Sequence, residues 1–273
     1  MELPKVFKSE IFLRAGSGAC IVMAILGGTY IGGLPWFFMS SAIAMVSLWE
    51  FYRMLLESFH VSRGIGYIAG LLVLGAAYFG DLAAVLPVIC LCGFLVLFVE
   101  VARRGISGHS FGIHSLGGTM AGILYCVLPW SFLILLRKHP WGLYLLVTLF
   151  ACTWSCDVLA YLIGSRWGKT PLAPEVSPKK SIEGFIGGLA GSLLCSGVLS
   201  FIWEIRPVPL LLIGLFCGTF GQLGDLAESL VKRETGKKDS GTIIPGHGGM
   251  LDRFDSILVN ASLAYLFFGV LWQ

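Results

Sequence analysis

Asp225, Glu228, Ser229, Lys232 and Arg233 recur at i, i+3, i+4, i+7 and i+8 in this chain. On a continuous helix that spacing places all five on one face. A short polar stretch later, Asp252 and Asp255 stand three apart with Arg253 between them, sharing the first turn of the next apolar segment. Two helices therefore bring four carboxylates, Asp225, Glu228, Asp252 and Asp255, towards one pocket. Oxygen donors of this kind suit Mg²⁺, commonly held by one or two carboxylates plus substrate phosphates. The cations among them supply charge for those phosphates. The PGHGG turn between them lets backbone approach a ligand closely. Acids and bases on converging helices have the composition of a phosphoryl or nucleotidyl transfer site. The plainer alternative is a set of salt bridges, Asp225 and Glu228 with Lys232 and Asp252 with Arg253. It leaves unexplained why the acids sit at the mouths of apolar spans.

The elements that must position these groups are membrane helices. Of 273 residues, 56% are hydrophobic and only 13% charged, and the mean hydropathy is +0.83. That lies well above the apolar share of a soluble domain. The expected fold class is all-α, a polytopic helical membrane protein. Nine spans are expected, near 13–31, 35–52, 65–81, 83–101, 116–136, 141–164, 184–203, 208–231 and 249–271, each about 20 apolar residues long. The weakest division is at Gly80-Asp81, where one long kinked element would reduce the count to eight. With nine spans and the N-terminus inside, 16 of the 19 Lys and Arg residues fall on one side. Only Arg137, Lys138 and Arg206 fall on the other. The excess of inside positive charge implies N-in, C-out. The start, MELPKVFKSEIF, has no features of a cleavable signal peptide.

Two regions are expected: 1–148 as a helical packing scaffold, and 149–273 with the site on its cytoplasmic side. In the first, Glu50 and Arg53 read as an interfacial ion pair, and Glu100 with Arg103 and Arg104 repeats the pattern. Trp36, Trp49, Trp130, Trp141 and Trp167 fall near span ends, as an aromatic belt would. The eight cysteines read as small buried apolar residues. In the second region, Asp157 lies within the sixth span and should face a hydrated cavity or the protein interior. A proline-rich loop, TPLAPEVSPKKSIEG, then leads into a helix. Its Lys179, Lys180, Ser181 and Glu183 stand where helix N–H groups favour an anion. Glycines at 184, 187, 188 and 191, and at 218, 221 and 224, predict close packing of the seventh and eighth spans on each other.

The stretch SLVKRETGKKDSGTIIPGHGGMLDRFD, Ser229–Asp255, resembles the signature of the phosphatidate cytidylyltransferase (CDP-diacylglycerol synthase) family. SPKKSIEGFIGG and DVLAYLIGSRWGKT are similar to two further patches of that family. The resemblance covers roughly residues 150–260. It implies the reaction of CTP with phosphatidic acid to give CDP-diacylglycerol and pyrophosphate, with Mg²⁺ and room for a second cation. It implies metal binding by Asp225 and Asp252 foremost, with Asp255 and Glu228 next. Lys179, Lys180, Lys232, Arg233, Lys237, Lys238 and Arg253 would meet the phosphates. Ser177, Ser181, Glu183, Ser229, Asp239, Gly246, His247, Gly248 and Gly249 would shape the pocket, with Asp157 facing it. The expected partners are CTP, phosphatidic acid and the bilayer of the inner membrane; a homodimer is expected and no nucleic acid. The rival from another class is an ion-coupled transporter using Asp157 and Asp225, whose expected mark is an inverted repeat of broken helices.

Overall fold

The computed structural model describes residues 5–56, 59–244 and 248–271, with side chains from Gly16 onward. Among the described residues the chain is nearly all helical. In order come α1 (Lys5–Ile31), α2 (Gly33–Leu55), α3 (Arg63–Phe79) and α4 (Leu82–Ser107). Then follow α5 (Gly112–Lys138), α6 (Gly142–Trp167), α7 (Ile182–Ile202), α8 (Pro207–Glu234) and α9 (Leu251–Leu271). Seven of these are long and apolar enough to cross a membrane; α3 and the Gly16–Ile31 part of α1 are shorter apolar helices. The division at Gly80-Asp81 is real: α3 ends there, and Asp81 Oδ1 caps α4 by accepting from the Ala84 amide at 3.0 Å. An N-cap carboxylate satisfies an amide that the helix itself leaves unpaired.

The all-α expectation needs one addition. The proline-rich loop folds into an antiparallel hairpin, β1 (Pro171–Ala173) against β2 (Ser177–Ser181), with Pro171 opposite Ser181 and Ala173 opposite Ser177. Proline removes amide donors and resists helix, so this stretch leaves the membrane-type helix and delivers Lys179 and Lys180 on an extended strand.

One contiguous apolar core joins the two halves of the chain. Trp36, Leu48 and Tyr52 of α2 pack with Trp130 and Leu133 of α5, Phe150 of α6, and Phe254 and Leu258 of α9. Two of the expected belt tryptophans belong to this core. Trp36 and Trp130 are fully buried, their rings edge-on to Phe150 and Phe254, while Trp49, Trp141 and Trp167 are exposed. Position along the chain marked a helix end but not which face of the helix turns inward. The cysteines divide similarly: Cys20 and Cys90 are exposed and Cys195 is half-buried, the other five being buried.

The glycine expectation is also redistributed. A Cβ on Gly184 would lie 2.9 Å from Ala160 O, and one on Gly191 3.0 Å from Ser155 O, so the α7 glycines seat this helix on α6. Gly218 abuts Ser192 and Leu189 of α7, whereas Gly221 and Gly224 meet Asn260 and Asp255 of α9. Small residues thus bring α6, α7, α8 and α9 together in series. A π-helical turn at Cys217–Gly221 precedes the charged part of α8. Such a turn inserts a residue into the helical phase, and it sets the direction in which the Asp225–Lys232 face points.

Candidate active site

Three stretches far apart in sequence line one cavity of about 640 Å³. α6 contributes Asp157, Tyr161 and Gly164; β2 and the start of α7 contribute Lys179, Lys180, Ser181 and Phe185. α8, the following loop and α9 contribute Gln222, Asp225, Lys232, Asp239, Asp252, Arg253 and Asp255. Among the described residues the lining therefore holds five carboxylates and four cationic side chains.

The pairing within it differs from the salt bridges expected from spacing alone. Lys180 Nζ, arriving from the hairpin, lies 2.7 Å from Asp225 Oδ2. It also donates to the Gln222 carbonyl at 3.4 Å. Lys232 Nζ donates to Asp252 Oδ1 at 2.7 Å and lies 3.2 Å from Glu228 Oε2. Of the three expected pairs, only Glu228 with Lys232 forms. Asp225 turns to Lys180 and Asp252 to Lys232, because partners from other elements approach more closely than neighbours on the same helix. Ser229 Oγ donates to Asp225 Oδ1 at 3.4 Å.

Asp252 also organises backbone. It accepts from the Ser240 amide at 3.0 Å and from the Gly249 amide at 2.8 Å, which ties both ends of the loop before α9 to its first turn. Glu183 does similar work beside the hairpin, accepting from the amides of Lys169 and Thr170 and from Thr170 Oγ1. Ser181 Oγ caps α7 by accepting from the Gly184 amide at 3.1 Å. Arg233 Nε donates to the Val176 carbonyl in the hairpin turn at 3.4 Å.

Glu228 is fully buried, and among the described residues neither of its carboxylate oxygens has a hydrogen bond of good geometry; Lys232, Asp252 and Asp255 are charged neighbours. Buried like charges held together require compensation by a cation or a proton, and the single Lys232 is already shared with Asp252. Asp225 and Asp255, which line the cavity, supply oxygen donors of the type that suits a hard divalent cation. Among the described residues no three His, Cys, Asp or Glu side chains converge as a ready-made cage. An ion there would complete its shell with substrate phosphates, which is the common mode for magnesium.

Of the sequence candidates, Ser177, Glu183, Glu228, Ser229, Arg233, Lys237, Lys238, Gly248 and Gly249 stand outside the cavity lining, and Gly246 and His247 lie outside the described residues. Gly248 has φ +85° and its absent Cβ would approach Asp252 Oδ2 at 3.0 Å, so glycine is needed there. Spacing gave no sign of Gln222, whose Nε2 donates to the carbonyls of Phe185 and Gly218 at 3.0 and 2.6 Å. Nor did it find Glu50. That residue does not pair with Arg53, which instead lies over the Trp49 ring. Glu50 is fully buried and accepts from Ser240 Oγ and from the amides of Met250 and Leu251. Its signal was an acid embedded in an apolar helix, masked by a convenient arginine three residues on. The second expected pair, Glu100 with Arg103, does form, at 3.2 Å.

Residues 12–271 match the profile of the cytidylyltransferase family. The chain is 36% identical over 263 residues to the phosphatidate cytidylyltransferase of Brucella abortus, covering 90% of this chain and 91% of the relative. It is 33% identical over 264 residues to that of Bacillus subtilis, covering 92% and 95%. A match to the Synechocystis enzyme of the same name is 45% identical but spans 133 residues, 48% of this chain and 45% of the relative. The chain belongs to the cytidylyltransferase family.

Proposed function

We propose that this chain makes CDP-diacylglycerol from CTP and phosphatidic acid, releasing pyrophosphate. The observation that carries the reading is the convergence of the three family-like stretches, DVLAYLIGSRWGKT, SPKKSIEGFIGG and Ser229–Asp255, on one cavity rich in both acids and cations. The family assignment points the same way, and the transporter alternative has no support beside it.

The lipid phosphate monoester is largely ionised at neutral pH, its second pKa being about 6. One of its oxygens bonds to the α-phosphorus of CTP, and the bond from that phosphorus to the bridging oxygen of the β-phosphate breaks. The electron pair leaves with pyrophosphate, so the attack requires no protein base. What the chain supplies is position and charge compensation. Lys179, Lys180 and Arg253 face the cavity and attract the triphosphate and the lipid phosphate. We assign Asp225 and Asp255 to hold Mg²⁺, in place of the expected Asp225 and Asp252, because Asp252 is engaged by Lys232 and by the Ser240 and Gly249 amides. Bound there, the ion neutralises phosphate charge that the lysines alone leave uncompensated. Asp252 orients the loop and Lys232, and Glu228 keeps Lys232 in place. Lys232 stands between the acids of α8 and α9, and Asp157 closes the α6 side.

The same reading makes the protein a multi-pass component of the inner membrane, with nine spans, N-in and C-out, and the cavity on the cytoplasmic side. CTP then enters from water and the lipid from the leaflet. The 1–148 region serves as scaffold and contributes to a homodimer. The direct test is pyrophosphate release by the purified chain given CTP, Mg²⁺ and phosphatidic acid in mixed micelles. Release that depends on all three is expected; none on adding phosphatidic acid ends the reading.

A further inference from the structure

Glu50 lies about 200 residues upstream of the signature loop, on α2 and outside the three stretches that converge on the cavity. It is fully buried in a helix whose other charged residue, Arg53, lies over the Trp49 ring. A buried carboxylate is costly unless its oxygens are satisfied, and among the described residues its hydrogen-bond partners are Ser240 and the amides that open α9. Oε1 accepts from the Met250 amide at 3.0 Å, and Oε2 from the Leu251 amide at 2.8 Å and from Ser240 Oγ at 3.3 Å. These amides open α9, which no side chain of its own caps. Amides at a helix start form a site for negative charge, and Glu50 occupies it from another helix.

The partners of Glu50 interleave with those of Asp252. Ser240 gives its amide to Asp252 and its hydroxyl to Glu50. Gly249 gives its amide to Asp252, and the next residue, Met250, gives its own to Glu50. Two carboxylates from different helices thus hold Ser240 and the residues at the start of α9. The glycines leave room for this grip. A Cβ on Gly241 would run into Glu50 Oε1, and one on Gly249 would lie 2.8 Å from it.

We infer that Glu50 is a positioning residue of the active site, which ties Ser240 to the start of α9 at Met250 and Leu251 and so fixes Asp252, Arg253 and Asp255 at the cavity. Its kinetic consequence rests on the proposed cytidylyltransferase reaction; its structural consequence does not. Glu50→Gln keeps the shape but turns an amide NH₂ towards donors. Asp at the same place keeps the charge on a stem one carbon shorter.

The test is steady-state pyrophosphate release by full-length variants, with CTP and phosphatidic acid varied separately, alongside amide hydrogen exchange in detergent. In Glu50→Gln the KM for CTP rises at least fivefold and the amides of Met250 and Leu251 exchange at least tenfold faster, with Glu50→Asp intermediate in both. A residue acting only on stability would lower the amount of active enzyme and leave the KM of the surviving fraction unchanged; that result overturns the inference. If Glu50→Gln is not recovered folded, Ser240→Ala deletes one of the three bonds and carries the same comparison, with the same direction expected and unchanged KM and exchange counting against it. Wild-type protein without any pyrophosphate release would refute the proposed function instead, and the exchange of Met250 and Leu251 would still decide the role of Glu50.

Discussion

Lys232 on α8 and Asp252 on α9 meet at 2.7 Å, and the same ammonium lies 3.2 Å from the buried Glu228. One cation therefore joins two helices and compensates two acids in a setting where water reaches little of either. Removing one member of a buried pair costs several kcal/mol because the other is left uncompensated.

Lys232→Met should consequently damage both function and fold. Pyrophosphate release is expected to fall at least 100-fold, and the midpoint of thermal unfolding to drop. Wild-type turnover by this variant would remove Lys232 from the site.

Asp225→Asn should separate chemistry from folding. Its carboxylate is about one-third exposed, and its partner Lys180 is also in contact with water, so the ion pair itself is worth about 1 kcal/mol or less. Folded protein with turnover reduced at least 100-fold is the expected outcome, measured by pyrophosphate release beside circular dichroism. Asp255→Asn should reduce turnover similarly, but with some loss of stability because Asp255 is buried.

Metal removal supplies a third check. Treatment with a chelator should abolish turnover, and Mg²⁺ should restore it in a saturable way. In Asp225→Asn the Mg²⁺ concentration for half-maximal activity should rise; an unchanged value would argue that Asp225 does not hold the ion.

Gly191→Leu tests the helix seam behind the cavity. The first side-chain atom would already lie 3.0 Å from Ser155 O and from Leu159 Cβ. Overpacking of this kind costs about 1–3 kcal/mol, and here the backbones of α6 and α7 must separate. Lower thermal stability is expected, with activity falling in parallel as the Asp157 side of the cavity moves away from Lys180.

Orientation is open to chemical labelling. In a cysteine-free background, Lys238→Cys should react with an impermeant thiol reagent only after the membrane is opened from the cytoplasmic side. Arg206→Cys should react in intact cells. The reverse pattern would invert the assigned topology.

Much of this molecule was legible in the linear chain because membrane helices are specified locally. A run of about 20 apolar residues satisfies its own backbone bonds and needs no partner to be recognised. The nearby acids and bases at helical spacing marked which helix ends meet at the charged cavity, and Asp157, Asp225, Asp252 and Asp255 do share it. Charge pairing, by contrast, is decided by through-space distance. Asp225 prefers Lys180, 45 positions away, over Lys232 on its own helix, and no spacing rule ranks those two. The hairpin that presents Lys180, the π-helical turn that aims the α8 face, and the assignment of each glycine to its neighbour all arise from packing between elements. Glu50 shows the limit most clearly: its sequence neighbour Arg53 offered a sufficient local partner, and only the folded chain brings Ser240, Met250 and Leu251 to its carboxylate. A buried carboxylate bonds whichever donors the surrounding helices place within reach, and that is a property of the assembled bundle.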